Sequence, residues 1–270
     1  PIVAQTTLSA GPYRTGAVDG RVQMVFTNTV PTDAYRGAGR PENTYMLERL
    51  VDCVARELKI SPVDLRRLNL ISREELPWKT PLGRVYDSSG DYPKNLELAL
   101  EAADFSGFEG RRREAKARGR LRGIGVSSFI EHSGMGPSDI IMAKGVRFGA
   151  YESAQVRLNG SGGVTVYTGT HSHGQGLETT LAQLVVDRLG IPLEDVEVRH
   201  GDTDDLGHGR GTVGSRSLLS GGAAIEAALD KIETKGKRIA AHLLECALTD
   251  IEFDAGQFTL IGTDRSVSIR

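Results

Sequence analysis

Cysteine is almost missing from this sequence. Only Cys53 and Cys246 occur among 270 residues, too few for a disulfide framework or for the four thiolates of an iron–sulfur cluster. Both fall on apolar faces of predicted helices, so we expect two buried, free thiols. The composition therefore excludes a disulfide-stapled fold and an iron–sulfur site within this chain.

Neither an excess of one charge nor a long hydrophobic run is present. The formal net charge is −2 at pH 7, so the chain lacks the basic surplus that attracts nucleic acid or a membrane surface. Its one basic cluster, at 109–123, is typical of the solvated face of a short helix. No apolar run approaches the ~20 residues of a membrane helix, and we find no signal peptide. We therefore expect a cytoplasmic protein that binds neither nucleic acid nor membrane.

Hydrophobic periodicity predicts an α+β fold. Helices are predicted at about 43–58, 60–71, 93–104, 108–118 and 175–189, and from about 215 through the alanine-rich 223–229. Strands are predicted at 21–28, 120–131 and 194–202, and hairpins at 151–169 and 251–270. These elements do not follow the regular rhythm of a doubly wound sheet. Because the composition shifts near residue 119, we predict two lobes, residues 1–118 and 119–270.

Glycine is abundant, and it clusters in loops. There are 33 glycines in 270 residues, about 12% against a typical ~7%. Three loops combine glycines with polar side chains and lead into a helix: 34–42 (AYRGAGRPE), 169–176 (GTHSHGQG) and 207–217 (GHGRGTVGSRS). A helix N-terminus presents free N–H groups and a positive dipole end, and glycine lets a ligand approach the backbone. Three such loops favour a large anionic ligand held mainly by backbone donors.

Two motif matches in the third loop have alternative interpretations. GRGTVG (209–214) matches the dinucleotide fingerprint, but an acidic segment separates it from the preceding strand, which disfavours a dinucleotide site. Ser215 or Ser217 with His208 would suit a nucleophilic mechanism, although the sequence has no nucleophile elbow.

The histidines allow a different hypothesis. His171, His173 and His200 would suit a mononuclear metal-dependent hydrolase. Asp202 and Asp205 follow closely and would complete the ligand set. Nothing in the sequence fixes the spacing between these segments, so the hypothesis stays open at this stage.

At the glycine-rich loops the sequence resembles a known family. Residues 27–42 (TNTVPTDAYRGAGRPE), 169–192 (GTHSHGQGLETTLAQLVVDRLGIP) and 201–217 (GDTDDLGHGRGTVGSRS) resemble the molybdenum-cofactor-binding large subunit of the xanthine oxidase/aldehyde oxidase family. The branch it resembles most is the aerobic carbon monoxide dehydrogenase large subunit. The three motifs stand in the family's order, and the resemblance covers essentially the whole chain.

The resemblance implies a cofactor, a reaction and partners. Members of this family hydroxylate a carbon centre with water-derived oxygen. Their molybdenum is bound by the dithiolene of molybdopterin, often as the cytosine dinucleotide in bacteria. Electrons leave through a 2Fe-2S small subunit and an FAD-binding medium subunit. We therefore expect an oxidoreductase that acts on a small organic substrate, with these two subunits as partners.

The same resemblance assigns roles to individual residues. The expected catalytic residues are Gln175, whose amide would point at the oxo group of molybdenum, and Arg36, which would lie beneath the metal. The expected cofactor-binding residues come from the three loops: Gly37, Ala38, Gly174, Gln175, Gly176, Thr212, Val213, Gly214, Ser215, Arg216 and Ser217. The pterin holds the metal, so no side chain is expected to ligate it, and His171 and His173 become packing residues.

Two positions depart from the family's best-known branches. Carbon monoxide dehydrogenases place a copper-binding cysteine directly after the arginine, where this sequence has Gly37. Xanthine oxidases place a phenylalanine where this sequence has Ala38. We therefore expect the substrate to be an aldehyde, a heterocycle or a similar organic molecule rather than carbon monoxide.

The chain also resembles only part of a family subunit. The family's upstream glycine-rich loop and its downstream Gly-Glu motif, whose glutamate is the general base, have no counterpart here. Glu131 and Glu178 stand in no matching motif. We expect residues 1–118 to be the C-terminal part of a first cofactor-binding lobe and 119–270 the N-terminal part of a second.

This incompleteness sets an expectation for the isolated chain. A fragment of this kind should neither retain the cofactor nor turn over. The alternative from another functional class is a non-catalytic folded module, or a subunit that works only as a partner-binding surface.

Overall fold

The computed structural model describes residues 8–31, 35–131, 133–134, 138, 142 and 150–270. The chain divides into two compact units, residues 1–131 and 132–270. Helices and small sheets are mixed along it, which confirms the predicted α+β class. No helix in the described ranges is long and apolar enough to cross a membrane.

The first unit is mainly helical. Its described elements are α1 (Arg40–Leu58), α2 (Pro62–Asn69), the antiparallel ribbon β1 (Trp78–Lys79) and β2 (Val85–Tyr86), α3 (Tyr92–Ala102) and α4 (Phe108–Ala117). Local sequence explains two of the helix starts. The Ser61 hydroxyl accepts hydrogen bonds from the first-turn N–H groups of α2, and the Asp91 carboxylate does the same for α3. These caps satisfy donors that a helix start otherwise leaves without partners.

The core of the first unit joins α2 and α3 to the chain around Tyr13. It is a cluster of buried side chains: Tyr13, Val63, Leu70, Leu96 and Leu100. Beside it, the Tyr13 hydroxyl donates to Oε1 of Glu48 over 2.5 Å. Glu48 in turn pairs with Arg66 of α2, at 2.8 Å between Oε2 and Nη2. A buried ionic network therefore fastens α1 to α2.

The predicted strand at 120–131 forms no β-ladder among the described residues. Val126 packs on the Tyr13 cluster, and the N–H of Ser128 donates to Oε2 of Glu48 at 2.8 Å. The segment is therefore held by side-chain contacts rather than by a ladder, and it belongs to the first compact unit. The predicted lobe boundary at residue 119 stays a prediction, since the division into compact units falls after Glu131.

The predicted strand at 21–28 is also wrong, because no described strand pairs with it. Its apolar side chains lie exposed, with Phe26 fully so and Met24 80% exposed. A segment in which apolar and polar residues alternate becomes a strand only where a neighbouring strand can form backbone hydrogen bonds with it. None of the strands that the structure describes lies beside this one.

The two cysteines are less buried than their positions predict. Cys53 is exposed and Cys246 half-buried, and both thiols are free. The prediction is wrong for Cys53 because the apolar face of α1, which carries Met46 and Leu50, is itself exposed in the structure.

Tyr86 gives the first unit a measurable pH dependence. Its hydroxyl is buried and donates to the carbonyl of Gly11 at 3.1 Å. Burial, with a smaller contribution from Tyr92, raises the pKa of Tyr86 from 10.0 to about 12. The folded state therefore keeps a proton that the unfolded state loses, so this stabilisation is complete below pH 10 and is lost between pH 10 and about 12.

We therefore expect the urea midpoint of the first unit to fall across this pH range, and Tyr86→Phe to reduce that fall. The exposed Tyr45 provides the control, because Tyr45→Phe should leave the slope as in the wild type. Identical slopes for Tyr86→Phe and the wild type would contradict the assignment.

The second unit places helices against one face of a small mixed sheet. Its described elements are β3 (Ala154–Leu158), β4 (Val164–Thr168), α5 (Leu177–Leu189), β5 (Val196–Arg199), a π-helical turn (Ser217–Gly222), α6 (Ala223–Leu244) and the strands β6 (Ile251–Asp254), β7 (Gln257–Leu260) and β8 (Ser266–Ser268). The predicted hairpin at 151–169 is confirmed as the antiparallel pair of β3 and β4. The predicted tail hairpin gains a third antiparallel strand.

The pairing of β4 with β5 positions the loops of interest. These strands run parallel, with Val164 opposite Val196, and α5 forms the crossover between them. The apolar stripe of α5 packs on the sheet and on α6 in one buried cluster: Val164, Val166, Leu177, Leu181, Val185, Leu189, Ile191, Ile225 and Leu229. Since parallel neighbours end at the same edge, the segments that follow β4 and β5 leave the sheet side by side. Ligands of α/β proteins commonly bind at such carboxyl edges.

Candidate functional site

Two glycine-rich segments meet at this edge of the second unit. We call residues 169–176 the first glycine loop and residues 207–217 the second glycine loop. The N–H of Gly211 donates to the carbonyl of Gly169 at 3.0 Å. The Thr212 hydroxyl accepts from the N–H of His171 at 3.0 Å and donates to its carbonyl at 2.6 Å. The loops are therefore joined backbone to backbone and through one threonine.

Two glycines are required by the contact between the loops. A Cβ on Gly169 would lie 2.6 Å from Cα of Gly209, and a Cβ on Gly209 would lie 2.7 Å from Cα of Gly169. Side chains larger than hydrogen would therefore push the loops apart.

At a second set of glycines there is open space where a side chain would lie. Gly174, Gly176 and Gly211 have left-handed φ angles of 84°, 74° and 78°, and no atom lies within 4 Å of the Cβ position at any of them. Gly176 is the N-cap of α5 and makes no side-chain cap hydrogen bond. The backbone at Gly174 and Gly176, just before α5, thus lies beside open space, as an anionic ligand requires.

The orientation of Gln175 follows from one hydrogen bond. Its Oε1 accepts from the N–H of His173 inside the first glycine loop. The donor end of the amide, Nε2, therefore points away from that N–H, and none of the described residues accepts from it. This orientation agrees with a side chain that donates to an acceptor on a ligand, while its role toward molybdenum stays a prediction.

A histidine cluster lies beside the first glycine loop. The ring of His171 lies 5.3 Å from that of His173 and 4.9 Å from that of His200, measured between centroids. Nε2 of His200 lies 3.1 Å from Oε1 of Glu178, and the Ser172 hydroxyl donates to Oε2 at 2.8 Å. The pKa of Glu178 is lowered to about 2, first by a hydrogen bond from the backbone N–H of Glu178 at the start of α5 and then by those from His200 and Ser172. The carboxylate is thus committed to this cluster as an anion.

The hydrolase alternative finds no metal site in the part of the chain that the structure describes. No group of three or more His, Cys, Asp and Glu side chains there could hold a metal ion. The imidazoles pack on one another, and Nδ1 of His171 lies 2.6 Å from the carbonyl of Ser172. The nucleophilic alternative is equally unsupported, because the His208 ring stacks on Tyr151 and the Ser217 hydroxyl lies 2.8 Å from that of Thr212.

Arg216 differs from the other predicted cofactor contacts. Its side chain is fully buried and pairs with the buried carboxylate of Glu152 at 2.6 Å. Sequence reasoning missed Glu152. The available signal was slight: it is the lone acidic residue of 151–169 and stands at the start of the hairpin predicted there.

The first unit carries its own glycine-rich turn in front of α1. Gly37, Ala38 and Gly39 have successive left-handed φ angles of 97°, 48° and 91°. Nε of Arg40 donates to the carbonyl of Gly37 at 3.0 Å, which fixes the turn to the first residue of the helix. Arg36, just before the turn, is exposed.

Glycine loops at the carboxyl edge of a small sheet, leading into a helix whose N-cap is glycine, are typical of a domain that binds an anionic cofactor. The chain belongs to the molybdopterin cofactor-binding domains of xanthine oxidase family large subunits. Models described as molybdopterin cofactor-binding domain match residues 1–70 and 98–270. The family and the molybdopterin cofactor expected from the sequence are thereby confirmed, whereas the cytosine dinucleotide form stays a prediction.

Individual relatives support the same assignment. The gamma subunit of the 6-hydroxypseudooxynicotine dehydrogenase complex of Paenarthrobacter nicotinovorans is 38% identical over 100% of this chain and 33% of its own length. The carbon monoxide dehydrogenase large chain of Hydrogenophaga pseudoflava is 37% identical over 95% of this chain and 32% of its own. The structure of quinoline 2-oxidoreductase from Pseudomonas putida 86 matches with a TM-score of 0.80 at 36% identity, over 97% of this chain and 33% of that one. The chain thus spans about a third of the length of these relatives.

Proposed function

We propose that this chain is part of the catalytic subunit of a molybdenum hydroxylase, which oxidises an organic substrate with water-derived oxygen. The observation that carries the proposal is the first glycine loop. It combines open, left-handed glycines just before a helix with a glutamine amide whose donor end is directed out of the loop. A backbone cradle with one oriented side-chain donor suits a large, anionic, oxygen-bearing cofactor.

The residues of the second unit would divide the work of holding that cofactor. The N–H groups at the start of α5 other than that of Glu178 would receive an anionic group, because they lie at the positive end of the helix dipole. Nε2 of Gln175 would donate to an oxygen at the metal. The backbone N–H groups of 212–217 would bind pterin and phosphate oxygens. When bound, the molybdenum cofactor supplies the two-electron redox chemistry that the protein's own side chains lack.

Gly37 supports an organic substrate rather than carbon monoxide. At φ 97° its backbone is in a region that favours glycine, and a Cβ there would lie 2.5 Å from Cδ of Pro41. A cysteine at this position would therefore strain the turn in front of α1. Two of the relatives above are named for organic molecules, a nicotine derivative and quinoline. We infer an aldehyde or an aromatic heterocycle as the substrate class.

The partners follow from the same proposal. One relative is named as a subunit of a complex. We infer that the whole protein works with a 2Fe-2S small subunit and an FAD-binding medium subunit. Co-purification of flavin and iron with the full-length protein would support this inference, and a flavin-free, iron-free active preparation would contradict it.

Metal analysis of the full-length protein tests the proposal. We expect about one molybdenum per chain and no stoichiometric copper, with dye reduction driven by an aldehyde or a heterocycle and not by carbon monoxide. Gly37→Cys with added copper should gain no oxidation of carbon monoxide. A metal-free product would favour a partner-binding module, and stoichiometric zinc would favour a hydrolase. Either result would overturn the proposed function.

A further inference from the structure

The ion pair of Glu152 and Arg216 lies behind the second glycine loop. Oε2 of the glutamate is 2.6 Å from Nη1 of the arginine, and both side chains are 0% exposed. Two charges taken out of water in this way are stable only when each is bonded in good geometry. The contacts around the pair show what it holds.

The guanidinium of Arg216 has its terminal donors fully engaged by protein oxygens. Nη1 donates to the carbonyl of Gly211 at 3.1 Å as well as to Glu152. Nη2 donates to the carbonyls of Ala150 at 2.9 Å and Tyr151 at 2.7 Å. The remaining donor, Nε, is buried without a described partner. Since a guanidinium has five N–H groups, no terminal one remains for a phosphate.

Glu152 connects the same loop at a second point. Its Oε1 accepts from the N–H of Arg210 at 3.1 Å and from the N–H of Ser153 at 3.2 Å. One buried carboxylate therefore holds residue 210 directly and residue 216 through the guanidinium. The stretch between them contains Gly211 and Gly214, both in left-handed backbone, and it is held from its other side by the bonds of Gly211 and Thr212 to the first glycine loop.

We propose that Glu152 is a positioning residue for the cofactor and acts through Arg216, so that neither side chain contacts the ligand. The pair shapes residues 210–217 before the ligand arrives, so the backbone of this stretch is in place without first being ordered. Ordering a loop at the moment of binding lowers affinity, and pre-organisation removes that cost. The inference rests on the proposed function.

Hydrogen exchange of the cofactor-free protein tests the positioning itself. Full-length protein isolated from cells grown without molybdate would be compared with Glu152→Gln, with peptides that cover 207–220 followed by mass spectrometry. We expect the Arg210 and Gly211 amides to exchange roughly tenfold faster in the variant. Glu48→Gln breaks a matched buried pair in the first unit and should leave these amides as in the wild type. Unchanged exchange in Glu152→Gln would overturn the inference.

Molybdenum content then separates positioning from a general loss of stability. In molybdate-grown cells we expect Glu152→Gln to lower molybdenum per chain by roughly tenfold, because the loop must be ordered on binding. Glu48→Gln, at a comparable loss of thermal stability, should keep its molybdenum. The double variant Glu152→Met/Arg216→Met removes both charges but leaves the backbone groups they bond without partners, so it should regain part of the lost melting temperature but not the metal.

The outcomes distinguish the two proposals. Recovery of both stability and molybdenum in the double variant would reduce the pair to a packing role and refute positioning. Wild-type protein that never contains molybdenum would refute the proposed function, while the exchange experiment would still decide whether Glu152 orders the loop.

Discussion

Replacing Arg66 with alanine is expected to destabilise the first unit by about 3–5 kcal/mol, the usual cost of leaving one partner of a buried ion pair behind. The Arg66 side chain is 0% exposed, and its Nε donates to Oε2 of Glu48 at 2.9 Å. Nη1 also donates to Asp52 at 3.1 Å and to the carbonyl of Pro62 at 3.0 Å. Without the guanidinium, the Glu48 carboxylate would remain in the interior with no cation beside it.

The adjacent arginine of α2 provides the control. Arg67 forms a two-pronged pair with Glu97, at 2.7 and 2.9 Å, but its side chain is 44% exposed. Arg67→Ala should therefore cost about 0–1 kcal/mol. Urea unfolding at neutral pH measures both changes, and the double variant Glu48→Leu/Arg66→Met should regain most of the loss. Equal costs for the two arginines would contradict the role assigned to burial.

Gly190→Ala is expected to destabilise the second unit by about 2–4 kcal/mol, from left-handed backbone strain of about 1 and overpacking of about 1–3. Gly190 ends α5 at φ 64°, and its N–H donates to the carbonyl of Val186 at 2.9 Å. A Cβ at this position would lie 2.5 Å from the carbonyl oxygen of Ala255 and 2.8 Å from its Cα. Those atoms belong to the turn between β6 and β7, so helix and turn would have to separate.

Gly176, at the other end of the same helix, separates the backbone strain from the overpacking, because only the strain is present there. Its φ is 74°, and nothing lies within 4 Å of its Cβ position. Gly176→Ala should cost only the strain of about 1 kcal/mol. The melting temperatures of the cofactor-free protein measure the difference, and a larger drop for Gly176→Ala would refute the proposed clash at Gly190.

The elements that sequence patterns predicted well are those whose neighbours lie close in the chain. The apolar residues along one face of α5 predicted a helix, and that face packs on the sheet in the structure. Ser61 predicted the start of α2. The segments at 21–28 and 120–131 alternate as strands do, but a strand needs a ladder partner, and alternation carries no information about one. Their misassignment reflects this tertiary requirement.

The sequence likewise predicted only part of the candidate site, because local patterns carry no information about distant partners. The glycine loops stand out in the sequence, but their glycines serve different purposes that only coordinates separate. Gly169 and Gly209 let two backbones touch, whereas Gly174 and Gly176 leave backbone open. Glu152 was missed because its partner stands 64 residues away along the chain, and no local pattern pairs residues at that distance.

The parallel pairing of β4 and β5 also decides when the two glycine loops can meet during folding. Thr212 and His171, which join the loops, are separated by 41 residues, and α5 and β5 must both be in place before they touch. Contacts between such distant residues form late, because the intervening chain must first be ordered. We therefore expect the two glycine loops to take their final arrangement only after α5 has packed on the sheet.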